Sequence, residues 1–480
     1  MHPHPFPPEV WSQAVSWLPL SHQKPLLEVS RFFHDITLPF VFSSVKLYIL
    51  GGSGALDMLD TNNRAFSWDT EQKLVHRTWE ILHRILDDVR FARMVRDVTL
   101  VAFVDSPAIF EILTLSKALG TLKNLHTLRC YGSSNSAITE IIQAIPPTVQ
   151  HLLYSTHVSI DVLDRLPNLE FFEYRNIIYF PEDGANDDIS SPMPPRNTLT
   201  GLKFTPSIHH RLHALSIDVY WVDRIPVWVY NQLTALELSS GDSEYPISLD
   251  FICHHCPVLE DLSIVGAVDV GVCSNLPQQT TFPKLQSFRI SCLCSPTDEP
   301  FSEEFTVEVS RFIQSHKNLR RLYIRFPSAK WFTIEALLAD IRELPCLEVL
   351  GLHTGWGPLN EDDLKMVMVS LPLGLKALQL AMDWDASTGA HVPVLMTKLS
   401  CMENLEFLHI YGTYLRLPLS VEEVAMELKN ITTVALTRAV WNIDRTGPDI
   451  EMVKWPRWKI KFFAESDFLD PDYAWLFKYH

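Results

Sequence analysis

The chain has little with which to build covalent staples, membrane anchors or broad cationic surfaces. Only eight of its 480 residues are cysteine, and they show no regular pairing. A disulfide framework is therefore not expected, and a reducing compartment, cytoplasm or nucleus, is. No apolar run approaches the ~18 residues of a membrane-spanning helix. The opening Met1-His2-Pro3-His4-Pro5 lacks the basic and apolar regions of a secretory leader. Forty basic residues stand against 57 acidic ones, a net charge of −17, without a long Lys/Arg run. Such a surface repels phosphate backbones and anionic lipid, so neither nucleic acid nor a membrane is an expected partner.

Chemical signatures are equally thin. Gly52-x-Gly54-x-x-Asp57 carries aspartate where a dinucleotide loop needs its third glycine. Gly51-x-Ser53-x-Ala55 departs from a nucleophile elbow at its last position. Cys253-His254-His255-Cys256 has the spacing of half a zinc site, but no second pair follows at the usual distance, and Cys256-Pro257 sits at a repeated turn. Asp87-Asp88, Asp362-Asp363 and Asp383-Trp384-Asp385 have no identifiable acid–base partner. Neighbouring carboxylates on a strand point to opposite faces, and solvated charge is their ordinary state. No catalytic residue, metal ligand or cofactor is expected, and the chain does not read as an enzyme.

What the chain does have is apolar residues in register. It is 47% hydrophobic and 20% charged, with mean hydropathy +0.05, the composition of an ordered, core-rich protein. A strand-like signature, L-x-x-L-x-[LI] with substitutions, recurs along most of it. It reads Leu125/Leu128, Val149/Leu152, Leu169/Phe172, Leu233/Leu236/Leu238, Leu259/Leu262/Ile264 and Leu285/Phe288/Ile290. It continues as Leu319/Leu322/Ile324, Leu347/Leu350/Leu352, Leu375/Leu378/Leu380, Leu405/Leu408/Ile410 and Ile431/Val434/Leu436, with Trp455/Trp458/Ile460 as a further match. From Leu233 the starts lie 24 to 34 residues apart.

Helical patterns such as residues 334–341 and 421–428 fall between these strands. Proline after several helix ends, as in Leu166-Pro167, Cys256-Pro257, Leu344-Pro345 and Leu371-Pro372, stops the helix and turns its predecessor toward extended backbone. A strand followed by a helix at this period predicts a leucine-rich-repeat solenoid, in which neither apolar face is buried until neighbours stack.

The register weakens between Asn176 and Trp228. There it resumes either at Leu199/Leu202/Phe204 or at Leu212/Leu215/Ile217, and an acidic, Pro-rich stretch near 181–198 reads as a mobile loop. Trp455, Trp458, Phe462, Phe463, Trp475 and Phe477 suggest a C-terminal cap over the last repeat. Positions 4 and 6 of each signature should enter the core, so positions 3, 5 and 7 should face the opposite, concave side. Read off there, Arg289, Arg321, Tyr323, Arg325, His353, Phe407, His409 and Tyr411 form a cationic and aromatic patch. Such a patch suits an acidic or phosphorylated segment of a protein substrate.

The N-terminal segment is the remaining clue. Between Pro5 and Leu50, 23 of 46 residues are apolar, more than ~40 residues can bury alone. That surface must rest on the rest of the chain or on another protein. Phe6-Pro7-Pro8-Glu9-Val10, then Trp17-Leu18-Pro19, then Val29-Ser30-Arg31-Phe32-Phe33 occur in order. Together they resemble an F-box, with Phe6 in place of the usual leucine. The resemblance covers roughly Pro5 to Val45. It implies a helical module that docks on the Skp adaptor of a cullin–RING ubiquitin ligase, while the repeats hold a protein substrate. On that analogy Pro7, Glu9, Val10, Leu18, Pro19, Leu26, Val29 and Phe32 make or support the adaptor contact. The alternative is that these helices only cap the repeats, leaving a leucine-rich-repeat scaffold uncoupled from ubiquitination. The expected architecture is thus an α/β chain. A small N-terminal helical F-box module (1–48) precedes a leucine-rich-repeat solenoid (49–480), a curved parallel sheet lined by helices.

Overall fold

One local rule builds most of the molecule: in most signatures the first apolar residue closes a tight turn that leads into the strand. Its amide donates to the carbonyl three residues back, as in Leu125 to Leu122 (3.3 Å), Leu319 to His316 (3.2 Å) and Leu405 to Met402 (3.1 Å). The next two amides then share one carbonyl of the preceding repeat, as Arg320 and Arg321 share that of Gln286 (2.8 and 2.9 Å). Turn closure and strand pairing are therefore set together, which fixes the register of these repeats.

The structure, a computed structural model, describes residues 6–18, 20–51, 64–104, 108–132, 140–154, 163, 165–174, 209–240, 249–266, 282–292, 303–326, 331–354, 359–382, 384, 392–412, 417, 419–456, 459–460 and 462–478. It divides into two units, Met1–Leu212 and His213–His480. The stretch near 181–198 lies outside the described residues.

The first unit opens with three helices, Pro8–Ser16, Leu20–Val29 and Arg31–Val41. Pro8 begins the first helix, where its missing N–H costs nothing. Ser30 caps the third by accepting from the Phe33 amide (3.2 Å). Gln23 is buried between the first two and donates to the carbonyls of Val15 (3.2 Å) and Leu18 (2.7 Å). Phe6, Trp11 and Phe33 meet edge-on at 5.9 and 5.3 Å. Phe42 then meets Phe91 at 5.3 Å, with the Arg84 guanidinium over both rings. These contacts tie the helices to the repeats.

Five strands follow in this unit: β1 (Ser44–Gly51), β2 (Asp97–Val104), β3 (Thr127–Gly132), β4 (His151–Tyr154) and β5 (Phe171–Tyr174). They pair in parallel and in chain order. Helices Arg64–Asp87, Val89–Met94 and Ile109–Thr121 lie between the first three. Two strands thus precede Leu125, where the sequence signature begins, and β1 pairs with β2 over eight residues. A boundary after residue 48 falls inside β1.

The second unit holds β6 (Ala214–Asp218), β7 (Ala235–Ser240), β8 (Asp261–Gly266), β9 (Ser287–Cys292), β10 (Arg321–Phe326), β11 (Val349–Thr354), β12 (Ala377–Met382), β13 (Phe407–Gly412) and β14 (Thr433–Leu436). All are parallel and in chain order. β6 carries the Leu212/Leu215/Ile217 register; Leu199, Leu202 and Phe204 lie outside the described residues. Helices such as Glu303–Ser315, Trp331–Arg342, Glu361–Ser370 and Val421–Glu427 connect them. Positions 4 and 6 are buried throughout, and Phe288 packs on Phe312 of the following helix at 4.7 Å. Each such leucine or isoleucine contributes roughly 1.5–3 kcal/mol of burial. Parallel strands stacked in chain order with helices between them make a leucine-rich-repeat solenoid in each unit by itself.

The expected last repeat at Trp455/Trp458/Ile460 is not one. After β14 the chain reverses at Thr437, whose φ of 50° lies in the left-handed region. It forms antiparallel β15 (Ala439–Asp444) and β16 (Glu451–Lys454). Trp455 follows β16, Lys459 and Ile460 are helical, and Trp458 lies outside the described residues. Among the described residues no helix is long and apolar enough to cross a membrane.

Candidate functional site

The two faces of the second unit's sheet are chemically different. Positions 4 and 6 are all apolar. Position 5, read strand by strand from β6 to β14, is Ser216, Glu237, Ser263, Arg289, Tyr323, Gly351, Gln379, His409 and Ala435. The strand register aligns these side chains in one row across the sheet. A polar row of this kind is what a face exposed to solvent or ligand carries.

That face is not open. The described residues between Trp455 and Lys478 run back over it, against the order of the repeats, as a strap. Trp455, Phe468, Tyr473, Ala474, Leu476 and Phe477 form one apolar cluster with Tyr323, Val349, Ala377, Phe407, Ala435 and Val440. The aromatic C-terminus expected to cap the last repeat therefore covers β7 to β14. Tyr473 stacks on Phe407 at 4.9 Å, and Phe477 lies 5.1 Å from His409. Gly351 permits this approach: a Cβ there would overlap the Tyr323 ring and stand 2.8 Å from Leu476 Cδ1.

Polar contacts frame the apolar ones. The closing helix, Pro471–Phe477, is capped by Asp470, whose carboxylate accepts from the Asp472 amide (2.9 Å). Arg320 donates both Nη atoms to Asp472 (2.6 and 2.8 Å) and Nη1 also to Glu348 (3.0 Å). Lys376 pairs with Asp470. The Tyr473 hydroxyl donates to Glu406 (2.7 Å), and Lys478 donates to Glu237 (2.9 Å). Asp261 accepts from both Arg321 Nη2 (3.1 Å) and Trp475 Nε1 (3.2 Å). Arg289 is fully buried; it donates to the Trp475 carbonyl, its guanidinium 4.4 Å from the Tyr323 ring and 4.2 Å from that of Trp475.

The electrostatics follow from this burial. Burial pushes the Asp261 carboxyl upward, opposed by Arg321, Arg289 and Lys478 around it. Burial also opposes ionisation of Asp470, yet Lys376 and the Asp472 amide hold its carboxyl below the usual range. His409 is pushed down to about 4 by burial, against the Thr437 carbonyl that its Nε2 meets at 3.0 Å. His353 falls to about 3 through burial and the nearby Arg325.

The predicted substrate patch is therefore corrected in its accessibility. Arg289, Tyr323, Phe407 and His409 are buried and Arg321 is half-buried, in contact with the strap or beside residues that are. Arg325, His353 and Tyr411 form a half-buried row at the far ends of their strands. Sequence reasoning did not find Arg320, Lys376, Asp261, Asp470 or Asp472. A signal was present: position 2 alternates as Arg320, Glu348, Lys376 and Glu406, a charge ladder facing the two strap aspartates.

The N-terminal candidates divide differently. Val10, Leu18 and Val29 are 47, 38 and 62% exposed, and Trp17 beside them is 76% exposed. Pro7 and Glu9 are exposed, Leu26 and Phe32 half-buried, and Pro19 lies outside the described residues. The other motifs have local roles. Cys253 and Cys256 are buried at the end of helix Leu249–His255, and no group of three metal-ligating side chains gathers among the described residues. Asp88 caps helix Val89–Met94 by accepting from the Phe91 amide (3.0 Å), and Asp362 and Asp363 lie in a first turn capped by Asn360. Residues 52–57, Asp383 and Asp385 lie outside the described residues.

No known protein family matches the chain, and no curated protein does. A structural likeness exists to the crystal structure of a TLR13–ssRNA13 complex, at 14% identity and a TM-score of 0.24, over 73% of this chain and 52% of that one. The chain thus spans about half the length of that protein.

Proposed function

We propose that the chain is the substrate-recognition subunit of an SCF-type (Skp/cullin/F-box) ubiquitin ligase, with the three N-terminal helices as its adaptor-binding module and the repeats as its protein-binding body. The observation that carries this reading is the set of apolar side chains left in solvent on and between those helices. Val10, Trp17, Leu18 and Val29 are large and exposed, and Phe6 remains 55% exposed although its ring meets Trp11 edge-on. Leaving them in water forfeits part of the roughly 1.5–3 kcal/mol that full burial of such a side chain provides, which a partner surface would recover. Pro7, Glu9, Leu26 and Phe32 would border or support that contact. The role is adaptor and receptor, without catalytic residues or a cofactor of its own, in cytoplasm or nucleus.

A second reading, a repeat scaffold whose N-terminal helices serve only as a cap, is favoured by the Phe42–Phe91 contact and by the amides of Arg96 and Asp97 donating to the Ser43 carbonyl. Adaptor binding separates the two. Purified Skp adaptor is titrated against the full chain and against Val10→Asp/Leu18→Asp. Both sites are exposed, so circular dichroism should be unchanged. Saturable binding that the double substitution abolishes supports the ligase reading; no binding by the folded full chain removes it and leaves the scaffold.

A further inference from the structure

Two properties of the strapped face set it apart from the helix-covered face. Beside its apolar cluster it buries Glu237, Arg289, Gln379 and His409, each under 9% exposed. Moreover, Tyr323 Oη, Thr433 Oγ1 and both amide atoms of Gln379 are buried without a hydrogen-bond partner among the described residues. A face evolved as permanent interior would be apolar, as the opposite face is, because each unpaired buried polar group is costly. The strap also meets this face as a ligand meets a surface: an aromatic centre, with Asp470 and Asp472 set on Lys376, Arg320 and Arg321 at one side.

We propose that the strapped face of β7–β14 is a docking surface for an acidic–aromatic segment of a partner protein, and that residues 462–478 are its intramolecular occupant. The recognised chemistry is a pair of carboxylates one residue apart, followed by aromatic or leucine side chains at the spacings of Tyr473, Trp475, Leu476 and Phe477. The proposal deepens the receptor reading, since it names the class of substrate and a mechanism that keeps the site closed until a competitor arrives. Gln379, buried and unpaired, is the point at which a partner segment can gain a hydrogen bond that the strap does not make.

The test uses the full chain. Asp470→Lys/Asp472→Lys places like charges on Lys376 and Arg320 and should release the strap. A fluorescein-labelled peptide of residues 462–480 is titrated against wild type and variant. The expected result is a folded variant that binds the peptide at least ~10-fold more tightly than wild type, with a peptide carrying the same two lysines failing to bind. A variant that loses its repeat fold, or one that stays folded and ignores the peptide, overturns the proposal. Hydrogen exchange on the wild-type chain gives a second test: strap amides should exchange at least ~10-fold faster than those of β10–β12. Exchange of both only together makes the strap integral core and also overturns it. Adaptor binding by the variant is expected to be unchanged, so failure of the adaptor reading shows separately in the wild-type titration.

Discussion

Gly351→Ala is the smallest perturbation that tests how the strap is seated. The added Cβ would overlap the Tyr323 ring and lie 2.8 Å from Leu476 Cδ1, where carbon atoms prefer about 3.5–4.0 Å. Something must move by about 1 Å. The ring has little freedom, because Tyr323 is fully buried with the Arg289 guanidinium 4.4 Å from its centroid. The cost should therefore sit high in the overpacking range, about 2–3 kcal/mol. Urea unfolding read by circular dichroism measures it, and at about 2–4 °C per kcal/mol for a unit of this size the melting temperature should fall by about 4–12 °C.

Tyr323→Ala alone should cost about 3–5 kcal/mol. In that background the alanine at 351 should be nearly neutral, a coupling of about 2 kcal/mol. A Gly351→Ala chain within about 0.5 kcal/mol of wild type, or additive costs in the double substitution, would refute the close approach of Leu476 and Tyr323 on which the strap's position rests.

Further outcomes are specific to single groups. An unfolded imidazole titrates near 6.5, whereas His409 is held down to about 4 in the fold. Between those values only the unfolded chain takes up the proton. Stability is therefore full above about pH 6.5 and declines as pH falls toward 4, by on the order of 3 kcal/mol from this group. His409→Gln should flatten that part of a pH–stability curve. Asp472→Ala strands Arg320, but Arg320 is a third exposed and keeps Glu348, so the loss should be about 2 kcal/mol rather than the full value for a buried pair. Adding Arg320→Ala should cost little more, as a double-mutant cycle would read. Ser420→Ala should cost about 1 kcal/mol by thermal melting, and Glu423→Ala should add little, since the two form one reciprocal cap.

The repeats were legible because the residues that build them speak locally. Leu322 and Ile324, or Leu378 and Leu380, need only a strand and a helix beside them, and that requirement is written within six residues. The first two strands were harder. Val95/Val98/Leu100 substitutes β-branched residues for leucine, and β1 follows directly on an aromatic-rich segment that reads as part of the helices. The strap was not legible as a strap. Tyr473, Trp475 and Phe477 announce burial but not the surface that buries them, and the partners of Trp475 lie 186 and 214 residues earlier. A cap and a strap share one composition; only the alternating charges of Arg320, Glu348, Lys376 and Glu406 distinguish them, and that pattern gains meaning once Asp470 and Asp472 are known to lie across it.

A stack of repeats is ordinarily a one-dimensional material, in which each unit feels its neighbours and the end unit frays first. A segment that starts beside β14 and finishes with Lys478 on Glu237 of β7 changes that connectivity. It places the last residues of the chain in contact with strands seven repeats apart, so a defect near β8 is felt at β13 without passing through the strands between. While the strap is seated, the second unit should melt as one cooperative body; once it lifts, the same repeats revert to a linear array that can loosen from either end. Occupancy of one face thus sets the size of the cooperative unit, and with it the resistance of the whole stack to partial unfolding and proteolysis.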